Sequence, residues 1–276
     1  MKTILVPTDF SSNAKNALKF ANSLAQSLKA KIVLCNVYTP TVGKFNMISG
    51  IIAEEISMAK LGTQKKLDKL KVECTSVNCL PVVVVGDTVD SIIDTAKEKK
   101  TNFIVMGTHG ASGLKKVLFG SNASNVISKS EIPVLAIPQR YKYKKIEKII
   151  YASDLNNIAA ELKILQPFAK ALNATIEVLY LDYGWDKGFS KSPPFEEAMK
   201  KNRYKNVTFV IKKVSLEKVM VAHLKAYTNK KANAVLVMFT QDKAWFDKFL
   251  LGSKTEDLAS SLKMPLLAVK KPSSKK

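Results

Sequence analysis

Histidine, cysteine and tryptophan are scarce here, at two, three and two residues in 276. Cys35, Cys74 and Cys79 are too few for a disulfide framework and lack the paired spacing of a zinc site, and His109 and His223 are too distant to complete one. The set reads as reduced thiols in a reducing compartment, and no structural metal is expected. Long hydrophobic runs are missing too: nothing approaches the roughly 18 apolar residues needed to span a bilayer, so no membrane partner is expected. The opening Met1-Lys2-Thr3-Ile4-Leu5-Val6-Pro7-Thr8-Asp9 has one lysine and too short an apolar run for a signal-peptide core. It reads as a buried strand, and the expected compartment is the cytoplasm.

Acidic residues are in deficit: 23 Asp+Glu stand against 44 Lys+Arg, a net charge of +21. Such a charge raises encounter rates with polyanions and keeps a nucleic-acid partner in play. The lysines are scattered, however (Lys15, Lys19, Lys29, Lys65, Lys66, Lys97), with short clusters at Tyr141–Lys145 and Lys270–Lys276. Aromatic interleaving is confined to the Tyr141 cluster, which favours a solvated lysine-rich surface over a nucleic-acid motif.

What is present is a repeated α/β order. Thr3–Pro7 is a strand, Ser11 or Ser12 caps a helix whose Ala14, Ala17, Leu18, Ala21, Leu24, Ala25 and Leu28 fall on one face, and Lys31–Val37 is a second strand. Two apolar strands joined by a helix form a right-handed βαβ unit, so the sheet is parallel. A long helix from about Ile51 to Leu70 follows, then Leu80–Val85, whose near-continuous apolar run suits a strand covered on both faces. Asp87 with Asp90 resembles a capping box for the next helix. Phe103–Met106 and Pro133–Pro138 supply strands four and five.

Gln139–Glu147 is polar and basic, a natural linker, and after it the order begins again. Lys148–Asp154 repeats Thr3–Asp9, Ala174–Tyr180 repeats Ala30–Asn36, Met264–Val269 repeats Ile132–Ile137, and Gly252-Ser253 repeats Gly120-Ser121. The expected architecture is therefore two tandem doubly wound domains of five parallel strands, residues 1–140 and 146–276. Val134–Ile137 and Leu266–Val269 would each leave an apolar sheet edge, so a pseudo-dimer pairing them is expected.

The stretch Asn102–Ile127 runs strand, glycine-rich loop, helix start. In a parallel α/β sheet such a loop lies outside the carboxyl ends of the strands, where main-chain N–H groups and a helix N-terminus attract phosphate. Neither the Rossmann nor the Walker spacing fits Gly107-x2-Gly110-x9-Gly120-Ser121. Asp9, Val37 and Gly107 all fall at strand carboxyl ends that flank the point where a 3-2-1-4-5 sheet reverses, so they converge on one crevice. Asp9 has an alternative role as a helix N-cap, Ser121 reads as an N-cap in either case, and His109 as an exposed loop residue. No Walker lysine, magnesium-binding carboxylate pair or base aimed at a water is evident, so dedicated phosphoryl-transfer catalysis is not expected.

That loop resembles the ATP-binding signature of the universal stress protein family, and the likeness runs through nearly the whole chain as two such domains. It implies an adenine nucleotide alpha-hydrolase-like fold and an ATP site in the first domain, with or without Mg2+, for a cytoplasmic protein acting in stress adaptation through an unidentified protein partner. On that resemblance the base and ribose lie near Pro7, Thr8, Asp9 and Val37, Met106 lines the pocket, and the phosphates lie against Gly107, Gly110, Gly120, Ser121 and Asn122. Slow ATP hydrolysis is compatible with it. The alternatives are a basic nucleic-acid-associated module with a vestigial nucleotide site, or a slow ATPase. In the second half the positions of Gly107 and Gly110 hold Phe239 and Asp242, and Trp245, Phe246 and Phe249 follow, so the loop there is degenerate. The second long helix is reduced to a segment near Phe195–Lys201.

Overall fold

Short runs of Val, Ile and Leu, too short for helices and bounded by capping residues, become the strands of two α/β units in the computed structural model. It describes residues 2–40, 49–75, 77–110, 119–184, 205–240 and 263–271. The chain divides between Tyr143 and Lys144 into two units.

The first unit comprises β1 (Lys2–Pro7), α1 (Ser12–Leu28), β2 (Ala30–Tyr38), α2 (Ser49–Lys71), β3 (Cys79–Val85), α3 (Thr88–Glu98), β4 (Phe103–Gly107), α4 (Ser121–Lys129) and β5 (Val134–Ile137). Its strands run in the order β3-β2-β1-β4-β5, with every neighbouring pair parallel. Ile4, Leu5, Val6, Ile32, Leu34, Ile104 and Leu135 are fully buried, each contributing about 1.5–3 kcal/mol by leaving water. Helix α1 turns Ala17, Leu18, Phe20, Ala21 and Leu24 into that core. The Ser11 Oγ accepts from the Ala14 N–H at 3.2 Å, so Ser11 is its cap. Lys29, in the left-handed region at φ 51°, ends it.

Two local expectations change. β3 is the end strand of this order; its Leu80 and Val85 are exposed and Val82, Val83 and Val84 half-buried. An apolar run alone does not tell a central strand from an outer one. Asp87 caps α3 by accepting from the Val89 and Asp90 N–H groups at 2.9 and 3.1 Å. The Asp90 carboxylate does not complete a box; it takes a hydrogen bond from Lys129 of α4 at 2.8 Å.

The second unit comprises β6 (Lys148–Ala152), α5 (Ile158–Leu172), β7 (Thr175–Asp182), β8 (Val207–Lys213), α6 (Met220–Thr228), β9 (Ala234–Thr240) and β10 (Leu266–Lys270). The order β10-β9-β6-β7-β8, all parallel, reproduces the first unit's arrangement. The match extends to a single turn. Phe10 and Leu155, each one residue past the aspartate that follows the first strand of its unit, both take φ 63°. Their N–H groups donate to Thr8 Oγ1 and Ser153 Oγ, both at 3.0 Å. The segment near Phe195–Lys201, Asp242, Trp245, Phe246, Phe249 and Gly252-Ser253 lie outside the described residues.

Candidate functional site

Residues from the ends of β1, β2 and β4 and the start of α4 meet at the carboxyl edge of the first sheet. Pro7 ends β1 opposite Cys35, and Thr8 is buried just beyond it. The Asn36 amide of β2 donates to the Thr8 carbonyl at 2.7 Å, tying the two strand ends together. Asp9, exposed, accepts from the Ser11 N–H through Oδ1 at 3.0 Å. Asp9 is therefore a turn residue ahead of the helix, and Ser11 has the capping role.

Gly107 ends β4, and its lack of a side chain has a definite cause. A Cβ there would lie 2.8 Å from both Cγ and Nδ2 of Asn13, closer than real side chains approach. Asn13 is 2% exposed, in the first turn of α1, and its Nδ2 donates to the His109 carbonyl at 2.7 Å. Its Oδ1 is buried without a hydrogen-bond partner. The pattern on α1 places an apolar stripe here, and a buried asparagine at its head is the one signal that would have found this residue. Asn36, a polar side chain inside the apolar run of β2, is a second such signal.

Gly110 also lies close to a neighbour: a Cβ would stand 3.0 Å from Asp9 Oδ2. Gly120 lies over the same loop, where a Cβ would meet His109 Cα at 3.5 Å, Thr108 O at 3.6 Å and Gly110 N at 3.8 Å. Its own N–H donates to the Thr108 carbonyl at 2.7 Å. Contacts thus gather Asp9, Gly107, Gly110 and Gly120 into one group. Val37, near the end of β2, and Ser121 and Asn122, exposed in the first turn of α4, join it by position. Met106 is 6% exposed within β4. His109 is half-buried, with Nδ1 3.0 Å from the Thr108 hydroxyl, so it is less exposed than its loop position suggests.

The start of α4 corrects another expectation. Its N-cap is Gly120, which offers no side-chain cap, and Ser121 is the first helical residue. The first-turn N–H groups, with the positive end of the helix dipole, therefore face the loop uncovered by a capping side chain, an arrangement that favours an anion.

The second unit fills the corresponding place differently. Leu5 pairs with Ile104 and Ile150 with Leu236, so Gly107 and Phe239, three residues further on, are equivalent. Phe239 is 4% exposed, its ring edge-on to Tyr151 at 5.4 Å. Asp154, the counterpart of Asp9, sits 2.6 Å from the Lys271 ammonium. Burial works against the Asp154 carboxylate, but Lys271 and Asn156 outweigh it and hold it below the usual carboxylate range. Lys271 also lies 3.8 Å from Glu161, fully buried, to which Tyr151 donates a hydrogen bond. Burial pushes the Glu161 carboxyl up, with Lys271 opposing. This unit carries its own cation beside its aspartate and an aromatic ring where the first unit has open backbone.

The family profile for the universal stress protein family matches residues 1–138. Universal stress protein MJ0577 of Methanocaldococcus jannaschii is 29% identical over 155 residues, covering 50% of this chain and 96% of that one. Universal stress protein MJ0531 of the same organism is 32% identical over 148 residues, covering 51% and 84%. A crystal structure of a universal stress protein from Archaeoglobus fulgidus covers 98% of both chains with a TM-score of 0.70 at 19% identity, a likeness of fold. Among the described residues no helix is long and apolar enough to cross a membrane.

Proposed function

Because the chain belongs to the universal stress protein family, we propose that its first unit binds an adenine nucleotide, ATP, and that occupancy is read by a protein partner during stress adaptation in the cytoplasm. The observation that carries the nucleotide reading is the closeness of Gly110 to Asp9, where a Cβ would lie 3.0 Å from the carboxylate. A side chain there would crowd the Asp9 carboxylate, and bare main chain is what a polyphosphate needs beside it. The glycine cap of α4 supports the same reading by leaving helix N–H groups open to negative charge.

In this reading Asp9, Thr8, Pro7 and Val37 take the nucleoside end, Met106 backs the pocket, and Gly107, Gly110, Gly120, Ser121 and Asn122 take the phosphates. Asn13 does not touch the ligand; it holds the loop through the His109 carbonyl. An accompanying Mg2+ would draw ligands mainly from phosphate oxygens and water, as that ion commonly does. The chain's residues bind and orient, and hydrolysis is slow or incidental to the signal. The second unit, with Phe239 and the Lys271 pairing in the equivalent place, does not take ATP.

Calorimetry with ATP on the full chain, and with the Gly110→Val variant, tests the proposal. One ATP per chain is expected, with affinity lowered at least about tenfold in the variant, a loss of about 1.4 kcal/mol, while its urea midpoint stays near that of wild type. Two equivalent sites, or normal binding by a folded variant, would overturn the assignment.

A further inference from the structure

Helix α2 turns two different faces to its surroundings. Its inner face packs through Leu67 and Leu70, at 0% and 6% exposure. On the opposite side Leu61, Lys65, Asp68 and Val72 recur at intervals of four, three and four residues, with Met58 three residues before Leu61, and such intervals keep side chains on one face of a helix. Val72 directly follows the last helical residue, and the chain stays wound there: the Glu73 and Cys74 N–H groups donate to the Leu70 and Lys71 carbonyls at 3.0 and 2.8 Å. All five side chains are exposed, Met58 at 67%, Leu61 at 59% and Val72 at 73%. Three large apolar groups thus line the outer side of a helix whose core contacts are made elsewhere, and an apolar stripe of that kind marks an interaction surface.

We propose that this face is a self-association surface, on which α2 of one molecule docks antiparallel against α2 of a second copy of the chain. The order of the residues carries the choice of partner. Apolar, cation, anion, apolar at spacings of four, three and four has the same spacing from either end, while the two charges are opposite in sign. A twofold axis midway between Lys65 and Asp68 therefore sets Lys65 against Asp68 of the second copy and Leu61 against Val72 of the second copy, each pair occurring twice. An isologous interface has that property, since residue i meets j and j meets i. A parallel arrangement in register would set Lys65 on Lys65 and Asp68 on Asp68, and like charges so placed repel. The chain carries both halves of the complement itself.

Area and net charge set the strength. One helix face against another is at the small end of protein interfaces, so the dimer is weak and reversible, with a Kd of about 100 μM. Each copy carries a net charge of +21, which opposes approach over long range. At an ionic strength of about 0.15 M the Debye length is about 8 Å, so that general repulsion is largely screened while pairs in contact are less affected. The two Lys65–Asp68 pairs fix orientation and register, and the apolar residues supply the attraction.

Sedimentation velocity of the full chain at that ionic strength, from about 1 μM to about 1 mM, tests the proposal. A reversible monomer–dimer equilibrium is expected, and Leu61→Lys should remain monomeric through the range. Lys65→Glu turns both symmetry-related pairs from attraction to repulsion, so it should weaken the dimer at least about tenfold. The double variant Lys65→Glu with Asp68→Lys restores opposite charges across the axis and should dimerise like wild type. These side chains are exposed, so circular dichroism and the urea midpoint should match wild type throughout. A monomer at every concentration, a dimer that Leu61→Lys leaves intact, or a double variant no better than Lys65→Glu alone would each overturn the proposal.

Discussion

Replacing Gly107 by alanine inserts one methyl group at the most crowded point of the first unit's loop. The new Cβ would lie 2.8 Å from Asn13 Cγ and Nδ2 in a side chain 2% exposed, so Asn13 must move or the strand must. Overpacking of this kind costs about 1–3 kcal/mol. If Asn13 moves, its bond to the His109 carbonyl is lost at about 1 kcal/mol more. Against this, alanine has less freedom than glycine in the unfolded chain, worth about 0.4–1 kcal/mol. Gly107 is not among the positive-φ glycines, so no backbone strain enters. The net expectation is a loss of about 1–3 kcal/mol for Gly107→Ala. Asn13→Ala alone should cost about 1–2 kcal/mol through the lost hydrogen bond and a small void. In the double variant the alanine methyl enters space that the amide has vacated, so the two losses should not add; the coupling should be about 1–3 kcal/mol. Urea unfolding of the four proteins measures it, with equal m-values as the check on comparability. Additive losses would refute the claim that Asn13 is what makes glycine necessary at 107.

In Glu161→Gln the site no longer titrates. Since the folded Glu161 carboxyl is raised above 4.5, its stability contribution is present below the unfolded value and lost as pH rises through the folded one, so the variant should gain on wild type as pH rises from 4.5 through the folded value. A difference independent of pH, or one of opposite sign, would contradict the burial argument. Lys271→Met should cost about 1–2 kcal/mol near neutral pH, because it strands Asp154 and the buried Glu161, and chemical denaturation will show whether it does. Asp87→Ala should cost about 1 kcal/mol in the same assay by uncovering two N–H groups of α3, and an unchanged midpoint would argue against the cap.

The fold was legible because burial imposes periods on the sequence. The stripe Ala14 to Leu28 reads as a sheet-packed helix and the run Ile104–Met106 as a strand, and the repeat from Lys148 carried the same logic into the second unit. The glycines of the loop were legible from their spacing, and at Gly107 the structure supplies the reason: a side chain there would collide with Asn13. What stayed hidden were contacts made by residues far apart in the chain. Asn13 meets the loop 96 residues later. Lys271 meets Asp154 after 117 residues. Asp90 could have answered Asp87 or another partner, and the nearness of Lys129 decided for the other partner. The exposure of Leu80 depends on strand order, which a local pattern of valines does not encode.

The left-handed turn shared by Phe10 and Leu155 makes the second unit a chassis for protein engineering. Holding a bulky residue in that region costs about 1–2 kcal/mol, and both units bear the cost with the same serine or threonine and aspartate side chains bonded to the same N–H groups. Through this turn the main chain already follows the course of the first unit, so what distinguishes the two at this point is side-chain chemistry. Ile158→Asn with Phe239→Gly would transplant the Asn13–Gly107 pair onto an existing track, and freeing Asp154 from Lys271 would return the aspartate to service. At this turn a designer would be changing substituents on a backbone course that the two units share.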